Sequence, residues 1–539
     1  MSQIRGFSAG SLLSRAIAFV VVVSLTSSVA AQGLADILVK TASALPLPKR
    51  IAPQFSDRPQ PLRFQRITHP QIPGRDDTHA RWWTPRLRES FERQMLQDRI
   101  ESGDVIASIL PVPGVYALHG TGGNDPGGGN PPGGGSGSGG GSGFDVRGGS
   151  GFYGQSSMMT GNNLIRHHLV GWDSLGASAV SFTLFHNSRG TYNGALGHGW
   201  SHSYDSRITT DPGVSSTIRM PDGLLVPYTI SGGNYVRPDG WNHTLVRHSN
   251  NTYTLTFKNQ VKWDYNSAGW LVAVKDRVGN TTAINRNSSN EITSITSADG
   301  RTLTFSYTSG NITSIQDPLS RTWSFSYNGS DQLTSITYPS IGGSAAARSF
   351  TYSATGHDIT QETDLRGHNW SWTYDSDGRL LTFANPLGHT TTRSYASSST
   401  TTTLPGGQTV VHTFTNGVLT GTTDEAGFTR SFTRNTNRDI TALVDERGHT
   451  WSFTYDSWGN RLTEQTPLGH TTTTAYNATH DVTSVTSPLG HVTSTSYNGQ
   501  GLVSQVTDPL SRASVRYTYN SNGDVLTVRD ALDRTTKLS

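Results

Sequence analysis

The sequence predicts an all-β protein, dominated by an array of β-hairpins that pair in series into one long sheet. Tyrosines recur at intervals of 20 to 22 residues, as from Tyr374 to Tyr395 and from Tyr455 through Tyr476 to Tyr497. Most are followed by Asp or Asn, and a Gly three positions later marks a turn. A 21-residue unit with two turns leaves two strands of about six residues, a common strand length.

Each part of the repeat has a physical reason. In Tyr374-Asp375-Ser376-Asp377-Gly378 the Asp is expected to bond its own backbone and the Gly to take a positive φ. About nine residues later comes a second turn, as in Asn385-Pro386-Leu387-Gly388. Rings at alternate positions, as in Trp323-Ser324-Phe325-Ser326-Tyr327, share one face of a strand. The repeats are predicted over 265–539, and a β-rich domain over 152–264.

Composition excludes several classes of protein. The 539 residues carry 42 basic and 39 acidic side chains, and only 15% are charged. So small a surplus of positive charge argues against a nucleic-acid-binding surface. The chain has no cysteine, which rules out disulfides, thiolate nucleophiles and cysteine metal sites.

The first 31 residues resemble a secretory signal peptide. Arg5 and Arg15 precede an apolar run of about ten residues, and small residues follow up to Ala30 and Ala31. Since a membrane-spanning helix needs about 20 apolar residues, cleavage is favoured over anchoring and no stable membrane span is expected. The predicted localisation is therefore secreted or at the cell surface.

Two segments separate the signal peptide from the β region. Residues 32–119 form a Pro- and Arg-rich lead-in with one short helix, which begins near Thr84 and Pro85 and ends at Ser102-Gly103. Residues 120–151 form a linker in which 17 of 32 residues are Gly. A Gly-rich coil cannot build a core, so the lead-in is predicted to be tethered rather than fixed.

The repeat resembles the YD repeat of the Rhs family of bacterial proteins, which the teneurins, animal adhesion proteins, share. The resemblance rests on many copies of Y-[DN]-x-x-G and on the preceding segment, where Gly197-His198-Gly199-Trp200 resembles the domain before the repeats in many Rhs proteins. It implies a bacterial β-sheet ribbon that spirals into a partial hollow shell. Such shells often enclose a C-terminal toxin, and the adhesion relatives present binding surfaces outside the cell.

The sequence departs from the toxin-releasing members in one respect. Those have a D-P-x-G-L signature before a variable effector, whereas Asp317-Pro318-Leu319-Ser320 and Asp508-Pro509-Leu510-Ser511 carry Ser where the signature has Gly. The chain also stops inside a repeat, at Ser539. We therefore expect either a truncated or split reading frame or a second chain that completes the shell.

Candidate chemistry is sparse, so no catalytic residue, cofactor or metal ligand is predicted. A histidine follows Gly in recurrent turns, and stacked repeats would align these rings in a column suited to zinc or copper. No carboxylate recurs beside them in sequence, which favours an ordinary turn role. Asp375 and Asp377 resemble half of a calcium loop, but further oxygen ligands are missing. The recurrent histidines are His368, His389, His449, His470 and His491.

The aromatic residues have two interpretations: packing against neighbouring strands or stacking on sugar rings. Packing is favoured for most of them, and Trp458 is singled out as a binding residue because it lies in a turn. The tryptophans concerned are Trp263, Trp270, Trp370, Trp372, Trp451 and Trp458.

Three functions remain open at this point. The first is a secreted, non-catalytic scaffold that contacts carbohydrate or a partner cell. The second is the N-terminal part of a toxin-delivery shell. The third is a secreted carbohydrate-acting enzyme, which is disfavoured because near-identical repeats supply the same residues in many places whereas an active site needs distinct residues in one.

Overall fold

A computed structural model describes residues 155–211, 213–340, 343–354 and 356–538. The predicted signal peptide, the lead-in with its helix and the Gly-rich linker lie outside these residues. The described residues form 39 β-strands and no helix, which confirms the predicted all-β class. No helix in this part of the chain is long and apolar enough to cross a membrane.

Ten strands form a leading domain ahead of the long sheet. Its sheets have the orders β1-β2-β3-β6, β10-β9-β8-β7 and β4-β5. The strand β3 is buried along its whole length because it lies between β2 and β6 and beneath the long sheet. The strands are β1 Gln155–Ser156, β2 Asn163–Asp173, β3 Ala179–Asn187, β4 Asn193–Gly194, β5 Gly197–His198, β6 Trp200–His202, β7 Arg207–Asp211, β8 Ser215–Arg219, β9 Leu225–Ser231 and β10 Asn234–Val236.

The other 29 strands form one antiparallel sheet in strict sequence order. It begins at Thr244, ahead of the position 265 where the sequence places the first repeat. Its first half consists of β11 Thr244–Arg247, β12 Tyr253–Thr256, β13 Lys262–Tyr265, β14 Leu271–Lys275, β15 Thr281–Arg286, β16 Ile292–Thr296, β17 Thr302–Thr308, β18 Asn311–Gln316, β19 Thr322–Tyr327, β20 Leu333–Thr337, β21 Ala347–Tyr352, β22 Ile359–Thr363, β23 Asn369–Tyr374, β24 Leu380–Ala384 and β25 Thr390–Tyr395. Its second half consists of β26 Ser399–Thr403, β27 Thr409–Thr415, β28 Val418–Thr423, β29 Thr429–Arg434, β30 Ile440–Val444, β31 Thr450–Tyr455, β32 Arg461–Gln465, β33 Thr471–Tyr476, β34 Val482–Thr486, β35 Val492–Tyr497, β36 Val503–Thr507, β37 Ala513–Tyr519, β38 Val525–Asp530 and β39 Thr535–Lys537.

The two kinds of turn define the two edges of this ribbon. The turn after each recurrent tyrosine, such as 375–379, is called a Tyr turn, and together these form the Tyr-turn edge. The second turn of each repeat, such as 385–389, is called an outer turn, and these form the outer-turn edge. In the Tyr turn Asp375 Oδ1 accepts hydrogen bonds from the backbone N–H groups of Asp377 (3.0 Å) and Arg379 (2.9 Å), while Gly378 has a φ of 73°. This confirms the predicted turn chemistry.

The recurrent tyrosine has a second role that the sequence reasoning missed. Nine hairpins that end in a Tyr turn contain a β-bulge at the tyrosine, as between Ser496 and Tyr497, which leaves the residue opposite with an irregularly paired backbone. The tyrosine of the next repeat donates its hydroxyl hydrogen to the carbonyl of that opposite residue. Tyr497 OH bonds Val482 O at 2.7 Å, and Tyr519 OH bonds Val503 O at 2.7 Å. Each repeat is therefore hydrogen-bonded through a side chain to the repeat before it.

The recurrent tyrosines form a column along the sheet. Where another residue stands at a tyrosine position, it follows the same rule: a side-chain donor bonds the carbonyl opposite the bulge of the preceding hairpin. Arg286 and Arg434 stand at the tyrosine spacing, and their Nε atoms donate to Leu271 O (3.0 Å) and Leu419 O (3.1 Å). Phe414 cannot donate, and it follows the hairpin of β25 and β26, whose pairing shows no bulge. At these three positions a side-chain donor is thus present where the preceding hairpin has a bulge and absent where it has none.

The core lies on one face of the ribbon, under the leading domain. Along β19 Trp323 and Phe325 are buried while the alternate residues are exposed, as the alternation predicts. Trp200 and Phe182 of the leading domain belong to the same continuous core. Later strands are less buried: every residue of β30 and β34 is only half-buried.

Candidate functional site

The ribbon folds back so that the outer turns of early strands contact the Tyr turns of late strands. Lys258 Nζ donates to Gly459 O at 3.1 Å. Arg277 Nη1 donates to Gly501 O at 2.9 Å, and its Nη2 pairs with Asp481 Oδ2 at 2.6 Å. These contacts join residues more than 200 positions apart. We call this line of contacts the seam; it holds two layers of one sheet together.

Three segments meet at one end of the seam. Asn280 Nδ2 donates to Asn522 O at 2.8 Å, and Gly176 N of the leading domain donates to Asp524 Oδ1 at 3.0 Å. Gly176 has a φ of 59°, and a β-carbon there would collide with the carbonyl oxygen of Asn522. Glycine is required here both for the backbone conformation and for the close approach.

Trp458 lies in this seam rather than on an open surface. It is half-buried, with the guanidinium carbon of Arg237 4.0 Å from the centre of its ring system and the ring of His480 4.6 Å away. Burial, followed by the charge of Lys258, lowers the pKa of His480, so this ring is neutral near pH 7. Arg237, Trp458 and His480 therefore form a stack that ties the leading domain to the late repeats.

Other tryptophans pack as expected. Trp263, Trp370 and Trp372 are buried, and Trp451 is half-buried. Trp270 lies beneath two guanidinium groups, those of Arg207 at 4.4 Å and Arg286 at 5.0 Å.

The leading domain covers the Tyr-turn edge of the middle repeats. Asn163 Nδ2 donates to Tyr374 OH at 2.9 Å, and Trp200 Nε1 donates to Tyr352 OH at 2.9 Å. Ser188 Oγ donates to Gly378 O at 2.9 Å. Hydroxyls of the tyrosine column thus accept bonds from the leading domain while they donate to the preceding repeat.

A buried ionic cluster lies where the leading domain meets β21 and β22. Glu362 is fully buried, pairs with Arg348, and has its Oε2 3.2 Å from His167 Nε2. Burial, followed by the charge of Arg348, holds the pKa of His167 well below its usual value. The histidine is therefore neutral at physiological pH, and the cluster is a carboxylate held by one guanidinium and one neutral ring.

A second cluster of polar side chains lies inside the leading domain. This is the non-repeat region, where the carboxylate pair of an active site would be expected. Arg219 Nη2 pairs with Asp205 Oδ1 at 2.8 Å, and Tyr192 OH donates to the same oxygen at 3.2 Å. Burial acts to raise the pKa of Asp205. The charge of Arg219 and the hydrogen bonds that Asp205 accepts from Arg219 and Tyr192 outweigh burial, so the pKa of Asp205 is lowered. Asp222 shows the opposite shift, because its burial exceeds the effect of Arg166. The adjoining cleft has about 20 Å³ of water-accessible volume, room for a single water molecule.

The Gly-His turns lie on the exposed outer-turn edge. Two of the five have a carboxylate partner within the turn: His368 Nδ1 is 3.2 Å from Asp364 Oδ2, and His449 Nδ1 is 3.0 Å from Asp445 Oδ2. The turns of the other three begin with Asn385, Thr466 and Ser487, so the expected lack of a neighbouring carboxylate holds there and is wrong only where an Asp at the start of the turn reaches the fifth residue. Within the described ranges no group of three His, Asp or Glu side chains is placed to hold a metal ion.

Asp375 and Asp377, which resemble half of a calcium loop, lie in a Tyr turn, and the carboxylate of Asp375 stabilises that turn. Asp375 Oδ2 accepts a hydrogen bond from Arg379 Nε at 2.6 Å, and its other oxygen caps the backbone. The carboxylate is therefore occupied by its own turn.

These features define a repeat β-protein whose single ribbon is folded into layers and covered by a leading domain. Comparison with known families matches the RHS Repeat family at residues 308–340, 435–472, 476–513 and 497–535. Residues 157–228 match DUF6531, a domain of unknown function. The chain is an RHS-repeat protein, as its resemblance to the YD repeat predicted.

Solved structures give low similarity. The crystal structure of TcdB2-TccC3 without its hypervariable C-terminal region is 10% identical, with a TM-score of 0.32, over 65% of this chain and 23% of that one. The Tc holotoxin pore of Photorhabdus luminescens carrying the mutation TccC3-D651A is 9% identical, with a TM-score of 0.33, over 68% of this chain and 28% of that one. The chain thus spans about a quarter of the length of these structures. No curated protein sequence matches it.

Proposed function

We propose that this RHS-repeat protein is a secreted, non-catalytic scaffold that acts at the cell surface or outside the cell. The seam carries the proposal. Arg277, Lys258 and Asn280 bind late turns with side-chain hydrogen bonds, so the folded ribbon supports itself in a chain without cysteine. A ribbon whose layers are joined by their own side-chain contacts suits a protein that must stay folded outside the cell.

The export half of the proposal is tested by fractionation of source cells. An immunoblot with antibody to the repeats is expected to detect a chain of about 55 kDa in the culture fluid or on the cell surface, after removal of the first 31 residues. Recovery of the full-length chain only from the cytoplasm would overturn secretion.

The non-catalytic half has its own test. Secreted protein is assayed against a panel of polysaccharides, with Asp205→Asn as the variant for the most polar group of the leading domain. We expect no turnover by either protein. Hydrolysis that the variant abolishes would instead establish a carbohydrate-acting enzyme.

A second candidate function is a part in a toxin-delivery shell formed with another chain. The observation that favours it is a row of exposed leucines along the late outer turns, which is typical of an interaction surface. The row consists of Leu468, Leu489, Leu510 and Leu532. Crosslinking of the secreted protein before electrophoresis is expected to give a band larger than the single chain. If the protein migrates only as a single chain, the shell formed with another chain is refuted and the isolated scaffold remains the proposed function.

Carbohydrate contact at Trp458 remains a hypothesis with a defined test. Trp458→Ala should reduce retention on immobilised glycans, whereas Arg237→Ala should increase it because the guanidinium covers the ring. Phe428→Ala is the matched control, since Phe428 is an exposed aromatic of an outer turn. Equal retention of all three variants and the parent protein would remove the stacking hypothesis.

A further inference from the structure

Three adjacent late strands carry large apolar side chains on the inward face of the ribbon. Phe432 of β29 pairs with Leu443 of β30, and Leu443 pairs with Trp451 of β31, so the three form a continuous line across the strands. Phe453 stands two residues beyond Trp451 on the same face of β31. We call these four residues the inner patch. All four are only half-buried.

An earlier hairpin shows the same positions in a covered state. Trp370 and Trp372 precede the tyrosine of β23 as Trp451 and Phe453 precede that of β31, and they are only 7% and 2% exposed. The early pair belongs to the continuous core that the leading domain shares, whereas this core, within the described residues, does not extend to the inner patch. The patch therefore presents apolar surface that the ribbon buries elsewhere.

The leading domain ends on the strands next to the inner patch. The guanidinium of Arg393 in β25 donates to Ser156 Oγ, and the hydroxyl of Thr400 in β26 donates to Met158 O. The described chain thus starts, at Gln155, beside β25 and β26. From β25 to β29–β31 is four to six strand spacings, or about 19 to 29 Å.

An uncharged apolar segment lies a short way before Gln155 in the sequence. Residues 105–118 include five Val and Ile and two Leu, and only Ser108 and Tyr116 carry a polar group on the side chain. A Gly-rich tether, residues 119–154, joins this segment to the leading domain. A flexible chain of that length spans roughly 30 to 36 Å, so the segment can reach the inner patch.

The charges that border the inner patch favour an uncharged occupant. Arg430, on the same strand as Phe432, pairs with Glu446. Arg461 Nη2 pairs with Glu464 Oε2 at 3.1 Å, and Glu464 lies directly opposite Phe453. Because these ionic groups are already paired within the ribbon, an uncharged segment leaves them intact, whereas a charged segment would bring an unpaired charge to an apolar surface.

We propose that residues 105–118 pack on the inner patch, so that the chain covers its own late strands with a segment from ahead of the leading domain. This inference goes beyond the proposed function, because it does not depend on where the protein is located. The tether also favours this segment over a separate molecule, since it holds the segment near the patch at an effective concentration of roughly millimolar order.

Site-specific photocrosslinking in the full chain tests the proposal. The photoreactive amino acid p-benzoylphenylalanine replaces Ile109 in the segment, or Ser136 in the tether as a control. After irradiation, digestion and mass spectrometry are expected to show a crosslink within one molecule from position 109 to peptides of β29–β31. Position 136 should give little of this product.

Two double variants test the contact from its two sides. Trp451→Thr with Phe453→Thr should reduce the crosslink yield from position 109 at least about tenfold, since burial of one large apolar side chain is worth that factor. Threonine stands at the equivalent places of β33, Thr472 and Thr474, so the hairpin is expected to keep its fold.

The second variant leaves the ribbon unaltered. Ile106→Asp with Leu110→Asp, in the segment itself, should reduce the yield by at least the same factor. The control is Phe428→Thr, which removes an exposed aromatic of an outer turn and should leave the yield unchanged.

Several outcomes would overturn the proposal. These are a crosslink from position 109 to the leading domain, to other strands or to a second molecule, the absence of any crosslink, or a yield that neither double variant lowers. None of these results bears on secretion or on the absence of catalysis, which fractionation and the polysaccharide assay test separately.

Discussion

The hydroxyl of the recurrent tyrosine should stabilise each repeat by a measurable amount. Tyr497→Phe removes the 2.7 Å hydrogen bond to Val482 O and leaves that carbonyl without its donor beside the β-bulge. Burial raises the pKa of Tyr497 to about 12, so the hydroxyl is protonated and donating throughout the physiological range. Loss of one such bond is expected to cost about 1–2 kcal/mol.

Native-state hydrogen exchange is the suitable assay, because a long repeat array does not necessarily unfold in one step. In the full chain, amides of β34 and β35 should exchange about 5 to 30 times faster in Tyr497→Phe, the factor that corresponds to 1–2 kcal/mol. Tyr497→Arg should exchange at close to the parent rate, because Arg286 and Arg434 make the equivalent bond.

A matched control lies within the same column. Phe414→Tyr should give no added protection, because the hairpin before it has no bulge and Ser399 O already accepts a hydrogen bond from Ala396 N at 2.8 Å. Unchanged exchange in Tyr497→Phe, or exchange in Tyr497→Arg as fast as in the Phe variant, would refute this account of the tyrosine.

Three further predictions concern the seam and the leading domain. Gly388→Ala should cost about 1 kcal/mol through its φ of 79° alone, whereas Gly176→Ala should cost at least about 1 kcal/mol more because its β-carbon also meets Asn522 O; equal acceleration of amide exchange around the two positions would contradict this. Arg277→Ala should accelerate amide exchange in the late Tyr turns about tenfold at low salt, and no change would show that the seam is held by other contacts. Burial lowers the pKa of His186 to about 3 and of His202 to about 4, so the unfolded chain binds more protons below pH 6.5. Stability is therefore present above pH 6.5 and falls by up to about 1.4 kcal/mol per histidine for each pH unit below it, and a melting temperature that does not change between pH 7 and 5 would contradict this.

The local structure of the repeats could be read from the sequence because it depends on neighbours along the chain. The caps of the Tyr turns need an Asp or Asn, a Gly and a fixed spacing, and alternation alone predicts the buried Trp323 and Phe325. The equivalence of Arg286 and Arg434 with the tyrosines was also present in the spacing. It was missed because a search for tyrosine passes over another donor that reaches the same carbonyl.

The contacts between residues far apart in sequence were decided only by the tertiary structure. Trp458 was predicted to be accessible because it lies in a turn, yet the fold-back of the ribbon brings Arg237 and His480 against it. The outer turns 276–280 and 487–491 occupy equivalent places in their repeats, but the seam covers the first while Leu489 of the second is exposed. A repeating sequence determines the turn, the strand and the inward face of each unit. It does not determine which layer covers a given turn, because that depends on the curvature summed over some twenty strands.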